Sequence, residues 1–214
     1  MTKPLEPWRQ AQFEISVANA RGFPPARGRE IAFAGRSNAG KSSAINTLCG
    51  QRSLARTSRT PGRTQLVNYF RIDDARTVVD LPGYGFAKVG AEAKRHWQSL
   101  IGDYLEQREN LAGLVLMMDI RHPLTESDCR MVDWCADAGI RLLVLLTKAD
   151  KLSRGATATA VRQVRTALAD YPETHAVLPF SSLKNTGVQE VLALLEGWFE
   201  RGQNKVPDSD AGDD

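Results

Sequence analysis

Cysteine is scarce in this sequence, and long apolar runs are missing. The three cysteines, Cys49, Cys129 and Cys135, show no C-x-x-C spacing, which argues against a zinc site and favours the reduced thiols of a cytoplasmic protein. The longest apolar run lies within residues 111–118, far short of the roughly 20 residues that a membrane-spanning helix needs. The first eight residues contain no apolar segment, so no secretory signal is expected.

Charge is distributed unevenly over the 214 residues. The whole chain carries +3, but residues 203–214 (QNKVPDSDAGDD) contain one lysine and four aspartates, a net charge of −3, which leaves +6 on the remainder. A net charge of +6 on residues 1–202 is compatible with a polyanionic partner such as RNA. With 42% hydrophobic residues, the chain can bury one substantial core, so a single main domain with tails is expected.

Three segments are expected along the chain. Residues 1–22 form an N-terminal extension, in which residues 1–12 are expected to be an extended or frayed arm because they show little periodicity. The alternating residues 13–20 are expected to add a short strand or a turn of helix to the core. The main domain covers residues 23–201, and residues 202–214 form a disordered acidic tail.

The strongest motif is G-R-S-N-A-G-K-S at residues 35–42. It follows a short apolar run, residues 30–34, and precedes a helical pattern, residues 43–48, which is the strand, turn and helix context of a phosphate-binding loop. Gly35 and Gly40 are expected to adopt backbone angles that a Cβ would forbid. Successive N–H groups could then surround an anion at the helix N-terminus.

Two side chains of this loop have expected roles in binding a magnesium nucleotide. The Lys41 ammonium would contact the β- and γ-phosphates, and the Ser42 hydroxyl would be a ligand of Mg²⁺.

A basic segment, residues 49–64, follows with four arginines and no acid. It is either a solvated loop or the mobile segment of a magnesium-nucleotide switch, in which Thr64 would reach the metal and the γ-phosphate. Residues 66–72 and 76–79 predict a hairpin. The second strand leads into D-L-P-G, where Asp80 would contact Mg²⁺ through water and the Gly83 N–H would contact the γ-phosphate.

The second half of the chain alternates between helical and continuous apolar patterns. Helices are predicted for residues 91–109, 125–138, 157–169 and 187–200, and strands for residues 111–118, 141–146 and 176–180.

The strand at residues 141–146 is followed by T-K-A-D, residues 147–150. The Asp150 carboxylate can accept hydrogen bonds from N1–H and N2 of guanine, whereas adenine presents an acceptor at N1 and no amine there. Such polar pairing can discriminate by roughly 10⁴ or more. Lys148 can lay its aliphatic stem across the base, and backbone N–H groups of residues 181–184 could reach the guanine O6.

Five elements in order, GRSNAGKS, TPGRT, DLPG, TKAD and SSL, resemble the motifs of the translation-factor class of P-loop GTPases. The sequences TPGRTQL, DLPGYGFA and TKADKL, in a single small domain, are similar to those of the EngB (YihA/YsxC) family of bacterial ribosome-biogenesis GTPases. The resemblance covers roughly residues 13–200. It implies a three-layer α/β fold of Ras-like G-domain type, with a mostly parallel sheet of about six strands and helices on both faces.

The resemblance also implies a function: binding of GTP and GDP with Mg²⁺, slow hydrolysis of GTP, a role in assembly of the large ribosomal subunit, and a requirement for normal cell division and septation. The resemblance implies a monomeric protein, with ribosomal RNA and ribosomal proteins as partners. Two alternatives stay open, a GTP-dependent ribosome-binding scaffold with negligible hydrolysis and a P-loop kinase of small molecules.

The resemblance further implies the site residues. The nucleotide contacts would come from Gly35, Arg36, Ser37, Asn38, Ala39, Gly40, Lys41, Ser42, Gly62, Arg63, Thr64, Gln65, Leu66, Asp80, Leu81, Pro82, Gly83, Thr147, Lys148, Ala149, Asp150, Phe180, Ser181 and Ser182. Ser42, Thr64 and Asp80 would be metal ligands, and Lys41, Thr64 and Asn38 would act in hydrolysis, Asn38 by holding K⁺ near the phosphates.

Two positions depart from the Ras-like pattern. Thr147 replaces an asparagine and lacks an amide for purine N7, although the EngB-type pattern itself carries threonine. Tyr84 stands where Ras-like enzymes keep a glutamine that orients the attacking water, and a tyrosine cannot position water in the same manner. Weak intrinsic turnover is therefore expected, raised by a partner or a bound cation.

Overall fold

A computed structural model describes residues 5–55, 66–85 and 90–200 of the chain. The strands in these ranges are β1 (Gln12–Val17), β2 (Arg29–Gly35), β3 (Val67–Arg71), β4 (Arg76–Asp80), β5 (Leu111–Asp119), β6 (Leu142–Thr147) and β7 (Thr174–Pro179). The helices are α1 (Leu5–Trp8), α2 (Lys41–Leu48), α3 (Ala91–Gln107), α4 (Glu126–Asp137), α5 (Arg154–Ala167) and α6 (Val188–Glu200). The acidic tail predicted for residues 202–214 lies outside the described residues.

All seven strands of the described ranges form one sheet, in the order β1-β3-β4-β2-β5-β6-β7. The neighbouring pairs from β4 to β7 are parallel, whereas β3 is antiparallel to both β1 and β4. The predicted hairpin and the mostly parallel sheet are therefore confirmed. The sheet has one strand more than the six expected, because the alternating segment at residues 12–17 pairs with β3 along its outer edge.

The central strands alternate their side chains between two cores. In β5, Leu114, Leu116 and Met118 belong to the core beneath α3, α4 and α5. Val115 and Met117 belong to the core beneath α2 and α6. This period of two is that of a strand buried on both faces, so the sheet is the middle of three layers. The loops at the carboxyl ends of its parallel strands are left free to bind a ligand.

The helices that the patterns predict are present with boundaries shifted by a few residues. The largest shift is in α5, which begins at Arg154 rather than at residue 157. Ser153 caps this helix, since its hydroxyl oxygen accepts a hydrogen bond from Ala156 N at 3.3 Å. Over the ranges that the structure describes, no helix combines the length and apolar character that a membrane crossing requires.

The expectation of a frayed N-terminal arm is wrong for residues 5–12. Trp8 lies in the short helix α1 and is fully buried. Its ring lies 5.9 Å from that of Phe199 in α6, and its indole N–H donates to Glu196 Oε1 at 2.5 Å. The Gln51 side chain also donates to Arg9 O and Ala11 O at 3.1 and 2.7 Å. These contacts fix the segment without creating any periodicity in its sequence. The described part of the predicted extension therefore packs on the same sheet as the rest of the chain.

Candidate nucleotide-binding site

The predicted motifs lie together at the carboxyl edge of the sheet. The phosphate-binding loop follows β2, the D-L-P-G turn follows β4, the T-K-A-D loop follows β6, and Phe180 to Ser182 follow β7. Four residues predicted for the switch loop, Gly62, Arg63, Thr64 and Gln65, lie outside the described residues. Leu66 is described, and it is a half-buried residue at the entrance to β3.

The phosphate-binding loop has left-handed backbone at two positions, and it leads directly into α2. Gly40 has φ 92°, as the motif predicts, and Asn38 has φ 65°. Gly35 does not have a positive φ, so the reason predicted for this glycine is wrong. A Cβ at position 35 would lie 2.8 Å from Met117 Cβ and 2.9 Å from Met117 O. Glycine is therefore needed there because β5 passes so close to β2.

Lys41 and Asp80 form an ion pair at the start of α2. Their side chains are 11% and 9% exposed, so both charges are largely removed from water. The second carboxylate oxygen of Asp80 lies 3.5 Å from Asn68 Nδ2. The Ser16 hydroxyl donates to Asn68 Oδ1 at 2.6 Å, which turns the amide N–H₂ of Asn68 towards Asp80.

The D-L-P-G turn lies against the phosphate-binding loop. Leu81 is buried in the core and continues β4, since its N–H donates to Phe33 O at 3.0 Å. Only the main chain of this residue can contact a ligand at the edge of the sheet. After Pro82 and Gly83, the carbonyl oxygen of Tyr84 accepts from Ser37 N at 2.8 Å. The turn is thus joined to the loop by the main chain.

Thr147 connects the T-K-A-D loop to the phosphate-binding loop. Its side chain is buried, and its hydroxyl lies 2.6 Å from Ala39 O and 3.1 Å from Met118 O. One hydroxyl proton shared by two carbonyl groups braces the backbone of both loops. Thr147 therefore holds the site together through protein contacts.

Lys148 crosses the opening between the same two loops. Its Nζ donates to Asn38 O at 2.7 Å and lies 2.9 Å from Asp119 Oδ2. Lys148 thus joins the T-K-A-D loop to the phosphate-binding loop, and the packing of its aliphatic stem on a base stays a prediction. Hydrogen bonds from Arg121, and then from Lys148, hold the pKa of Asp119 well below its usual value.

The sequence motifs did not point to Asp119, which borders the site through its ion pair with Lys148. The available signal was its position directly after the continuous apolar strand β5, where an acid lies at the carboxyl edge of the sheet beside the other loops.

Asp150 is oriented by the loop that follows β7. The Ser181 hydroxyl donates to Asp150 Oδ1 at 2.6 Å, and this bond is the main cause of a lowered pKa for the Asp150 carboxyl. The N–H groups of Phe180 and Ser181 donate to Leu146 O and Thr186 O at 2.8 and 3.1 Å. Ser181 thus contributes its hydroxyl to this region, while its N–H, expected at guanine O6, is already bonded within the protein.

The phosphate-binding loop contacts the D-x-x-G turn on one side and the T-K-x-D loop on the other, on a mostly parallel sheet. This fold and site define the class as a P-loop GTPase domain. A family model described as "50S ribosome-binding GTPase" matches residues 30–148. The chain is 57% identical over 193 residues to a "Probable GTP-binding protein EngB" of Azoarcus sp. (strain BH72), covering 90% of this chain and 92% of that protein. The chain belongs to the EngB family of GTP-binding proteins.

A second relative agrees with this assignment, and two solved structures share the fold. The chain is 52% identical over 196 residues to a protein of the same name from Escherichia coli O139:H28 (strain E24377A / ETEC), covering 92% and 93% of the two chains. The crystal structure of a probable GTP-binding protein EngB has a TM-score of 0.66 at 21% identity, covering 79% of this chain and 98% of that one. Era in complex with MgGDPNP and nucleotides 1506-1542 of 16S ribosomal RNA has a TM-score of 0.62 at 18% identity, covering 86% and 60%.

Proposed function

We propose that this protein is a slow GTPase that acts as a switch in assembly of the large ribosomal subunit. Nucleotide binding is supported by the contacts of the phosphate-binding loop with the D-L-P-G and T-K-A-D segments. Lys41 pairs with Asp80 on one side, and the Thr147 hydroxyl contacts Ala39 O on the other. The phosphates would lie on residues 35–42. Guanine would lie between Lys148 and the carboxylate of Asp150.

The proposed magnesium site depends on an exchange of partners. Ser42 and Asp80 offer oxygen ligands of the kind that Mg²⁺ prefers, and Lys41 is adjacent. On binding, Lys41 would move its charge to the phosphates and Asp80 would accept from a metal-bound water. Among the described residues, no group of three or more His, Cys, Asp or Glu side chains could hold a metal ion. Thr64, phosphate oxygens and water would complete the coordination, and bound Mg²⁺ would neutralise phosphate charge.

Slow hydrolysis follows from where the Tyr84 hydroxyl lies. It donates to Asp128 Oδ1 at 2.9 Å, inside the protein, so no side chain stands in the place of a water-orienting glutamine at this position. Asn38 is exposed beside the loop, and we propose that it holds K⁺ near the phosphates. Hydrolysis should then be faster in potassium than in sodium at equal ionic strength. Equal rates would contradict the potassium site.

Guanine selectivity is tested by the affinities for GTP, GDP, ATP and xanthosine triphosphate in wild type and Asp150→Asn. Wild type should prefer guanine over adenine by about 10⁴, because adenine presents to the Asp150 carboxylate an acceptor at N1 and no amine. Asp150→Asn should move the preference towards xanthine. Asp133→Asn is the matched control, since Asp133 also accepts from a hydroxyl, that of Tyr171 at 2.7 Å, and lies outside the site. Equal binding of ATP and GTP by wild type would contradict the proposal.

The ribosomal part of the proposal is supported by the description of the matching family as 50S ribosome-binding and by the basic body of the chain. Arg52, Arg56, Arg59 and Arg63 lie in or beside the switch loop, so nucleotide state and binding of a polyanion would be linked. Binding to purified large-subunit precursors, titrated with salt in GTP and in GDP, tests this link. The two nucleotides should give different affinities, and identical curves would contradict the switch.

We further infer that the protein works in the cytoplasm, where ribosomes are assembled, and that the connection to cell division and septation follows from ribosome supply. Cys49, Cys129 and Cys135 are free thiols, in keeping with a reducing compartment. Depletion of the protein should cause large-subunit precursors to accumulate before septation fails. Failure of septation with a normal subunit profile would contradict this order.

A further inference from the structure

The side chain of Tyr84 ties the D-L-P-G turn to α4. Tyr84 is 5% exposed, and its hydroxyl donates to Asp128, a residue that is 1% exposed and lies 44 positions later in the chain. Burial, and then the Asp128 carboxylate, raise the pKa of Tyr84 well above its usual value. The hydroxyl therefore remains a neutral donor at physiological pH, and its acceptor lies in α4.

The carboxylate of Asp128 is fixed in place by the first turn of α4. Its second oxygen, Oδ2, accepts from Thr125 N at 3.0 Å and from the Thr125 hydroxyl at 2.8 Å. The bond from Thr125 N is one half of the capping box that begins the helix. The oxygen that receives the Tyr84 hydroxyl cannot move without breaking this cap. Asp128 thus offers Tyr84 an acceptor of fixed position.

The same residue is also bonded to the phosphate-binding loop through its main chain. Tyr84 N donates to Gly35 O at 3.3 Å, and Tyr84 O accepts from Ser37 N at 2.8 Å. Gly83 lies directly before it, and a Cβ at Gly83 would be 3.5 Å from Ser37 N. These bonds fix the main chain on the carboxyl side of Gly83. The Gly83 N–H itself lies in the peptide plane that it shares with the Pro82 carbonyl.

A third support comes from α3. Trp97 donates its indole N–H to Pro82 O at 2.9 Å, and its ring lies edge-on to that of Tyr84 at 5.7 Å. On its other side, Trp97 stacks with Trp134 of α4 at 5.9 Å. The turn is therefore held by the phosphate-binding loop, by α3 and by α4.

We propose that Asp128 is a positioning residue for recognition of the terminal phosphate of GTP, acting through the Tyr84 hydroxyl on the N–H of Gly83. The inference rests on the proposed function, in which this N–H contacts the γ-phosphate. GDP lacks that phosphate and does not need the contact. The Tyr84–Asp128 hydrogen bond therefore contributes to the preference for GTP over GDP and does not contribute to binding of the guanine base.

The test is Tyr84→Phe, which removes only the hydroxyl and keeps the ring on Trp97. The dissociation constants of a non-hydrolysable GTP analogue and of GDP are measured with Mg²⁺ in wild type and variant. We expect the analogue to bind about tenfold more weakly, the effect of one lost hydrogen bond to a charged group. GDP should stay within about twofold of wild type. An equal change for both nucleotides, or no change in their ratio, overturns the inference.

Tyr104→Phe is the matched control for loss of a buried hydroxyl. Tyr104 is fully buried and donates to Glu30 Oε2 at the same distance, 2.9 Å, at the opposite end of the sheet. Both variants should lower the stability of the protein, but Tyr104→Phe should leave the ratio of the two affinities unchanged. A ratio shifted equally by Tyr104→Phe would show a general loss of stability and would overturn the inference.

Asp128→Asn is a second test of the Tyr84–Asp128 hydrogen bond. This variant keeps an oxygen for the helix cap and removes the negative charge that the Tyr84 hydroxyl contacts. It should lower the analogue-to-GDP preference in the same direction, and an unchanged preference overturns the inference. Failure of the proposed function is distinguishable, since wild type would then fail to prefer guanine nucleotides at all.

Discussion

The two ends of the sheet use the same chemistry in different surroundings. At the amino end, Glu30 and Arg108 form an ion pair with side chains only 3% and 7% exposed, and Tyr104 completes the hydrogen bonding of the carboxylate. At the carboxyl end, Asp119 and Lys148 pair at 2.9 Å with side chains 18% and 32% exposed. The first pair is enclosed by protein, whereas the second borders the proposed base site. In these two pairs, the degree of burial distinguishes charges that support the fold from charges at the edge of the proposed base site.

The largest effect is expected for Glu30→Gln, which removes the charge of the enclosed carboxylate. The free energy of unfolding should fall by about 3 to 5 kcal/mol, because Arg108 would stay buried without its counter-charge. Urea unfolding at pH 7 measures this change. In Glu14→Gln, the matched control, the more exposed pair with Arg71 is lost, and the cost should be below about 1 kcal/mol. Affinity for GTP should be unchanged in both folded variants, and a weaker affinity in Glu30→Gln would contradict the separation of the two ends.

Asp119→Asn should weaken nucleotide binding and leave stability almost unchanged, which is the reverse of the expectation for Glu30→Gln. Its effect in free energy should be smaller than that of Glu30→Gln. Without this carboxylate Lys148 loses its ionic partner, so affinity for GTP and GDP should fall about tenfold, which corresponds to roughly 1.4 kcal/mol. The free energy of unfolding should change by less than about 1 kcal/mol, because the pair is partly exposed. Calorimetric titration measures the affinities. Glu126→Gln, which breaks the exposed pair with Arg130, should leave both nucleotides unaffected, and a similar loss there would rule out a specific role for Asp119.

The smallest expected effect is the pH dependence of stability at the carboxyl end. The pKa of Asp119 is lower in the folded protein than its usual value, so its contribution is complete above the unfolded pKa of about 3.9. It is lost as the pH falls below that value towards the folded pKa. The difference in unfolding free energy between wild type and Asp119→Asn should therefore shrink below about pH 4. Urea unfolding at several pH values between 7 and 3 measures it, and a constant difference would contradict the shift.

Sequence reasoning succeeded where the information is local. The strand, turn and helix around Lys41 were predictable because a short motif prescribes its own backbone, as the φ of Gly40 confirms. The continuous apolar strands β5 and β6 were predictable because burial on both faces leaves a pattern within a few residues. The T-K-A-D loop was predictable because it follows one of these strands at the carboxyl edge.

What the sequence did not predict depends on partners that are distant in the chain. Trp8 forms a hydrogen bond with Glu196, which lies 188 residues later in the chain. Tyr84 forms one with Asp128, which lies 44 residues later. Neither pair has a periodicity or spacing that a local pattern would express. Ser181 was expected to use its N–H, but that group is bonded to Thr186 O in the loop after β7. Which of its polar groups remains available is decided only when the loop folds.

The close passage of β5 beside Gly35 changes how an alanine at this position would be interpreted. The added methyl group would press on Met117, in the middle of the sheet, and would force the two innermost strands apart. An alanine variant that no longer retains nucleotide would therefore report a distorted scaffold. Backbone crowding would be the first explanation of such a defect, before any lost contact with a phosphate oxygen.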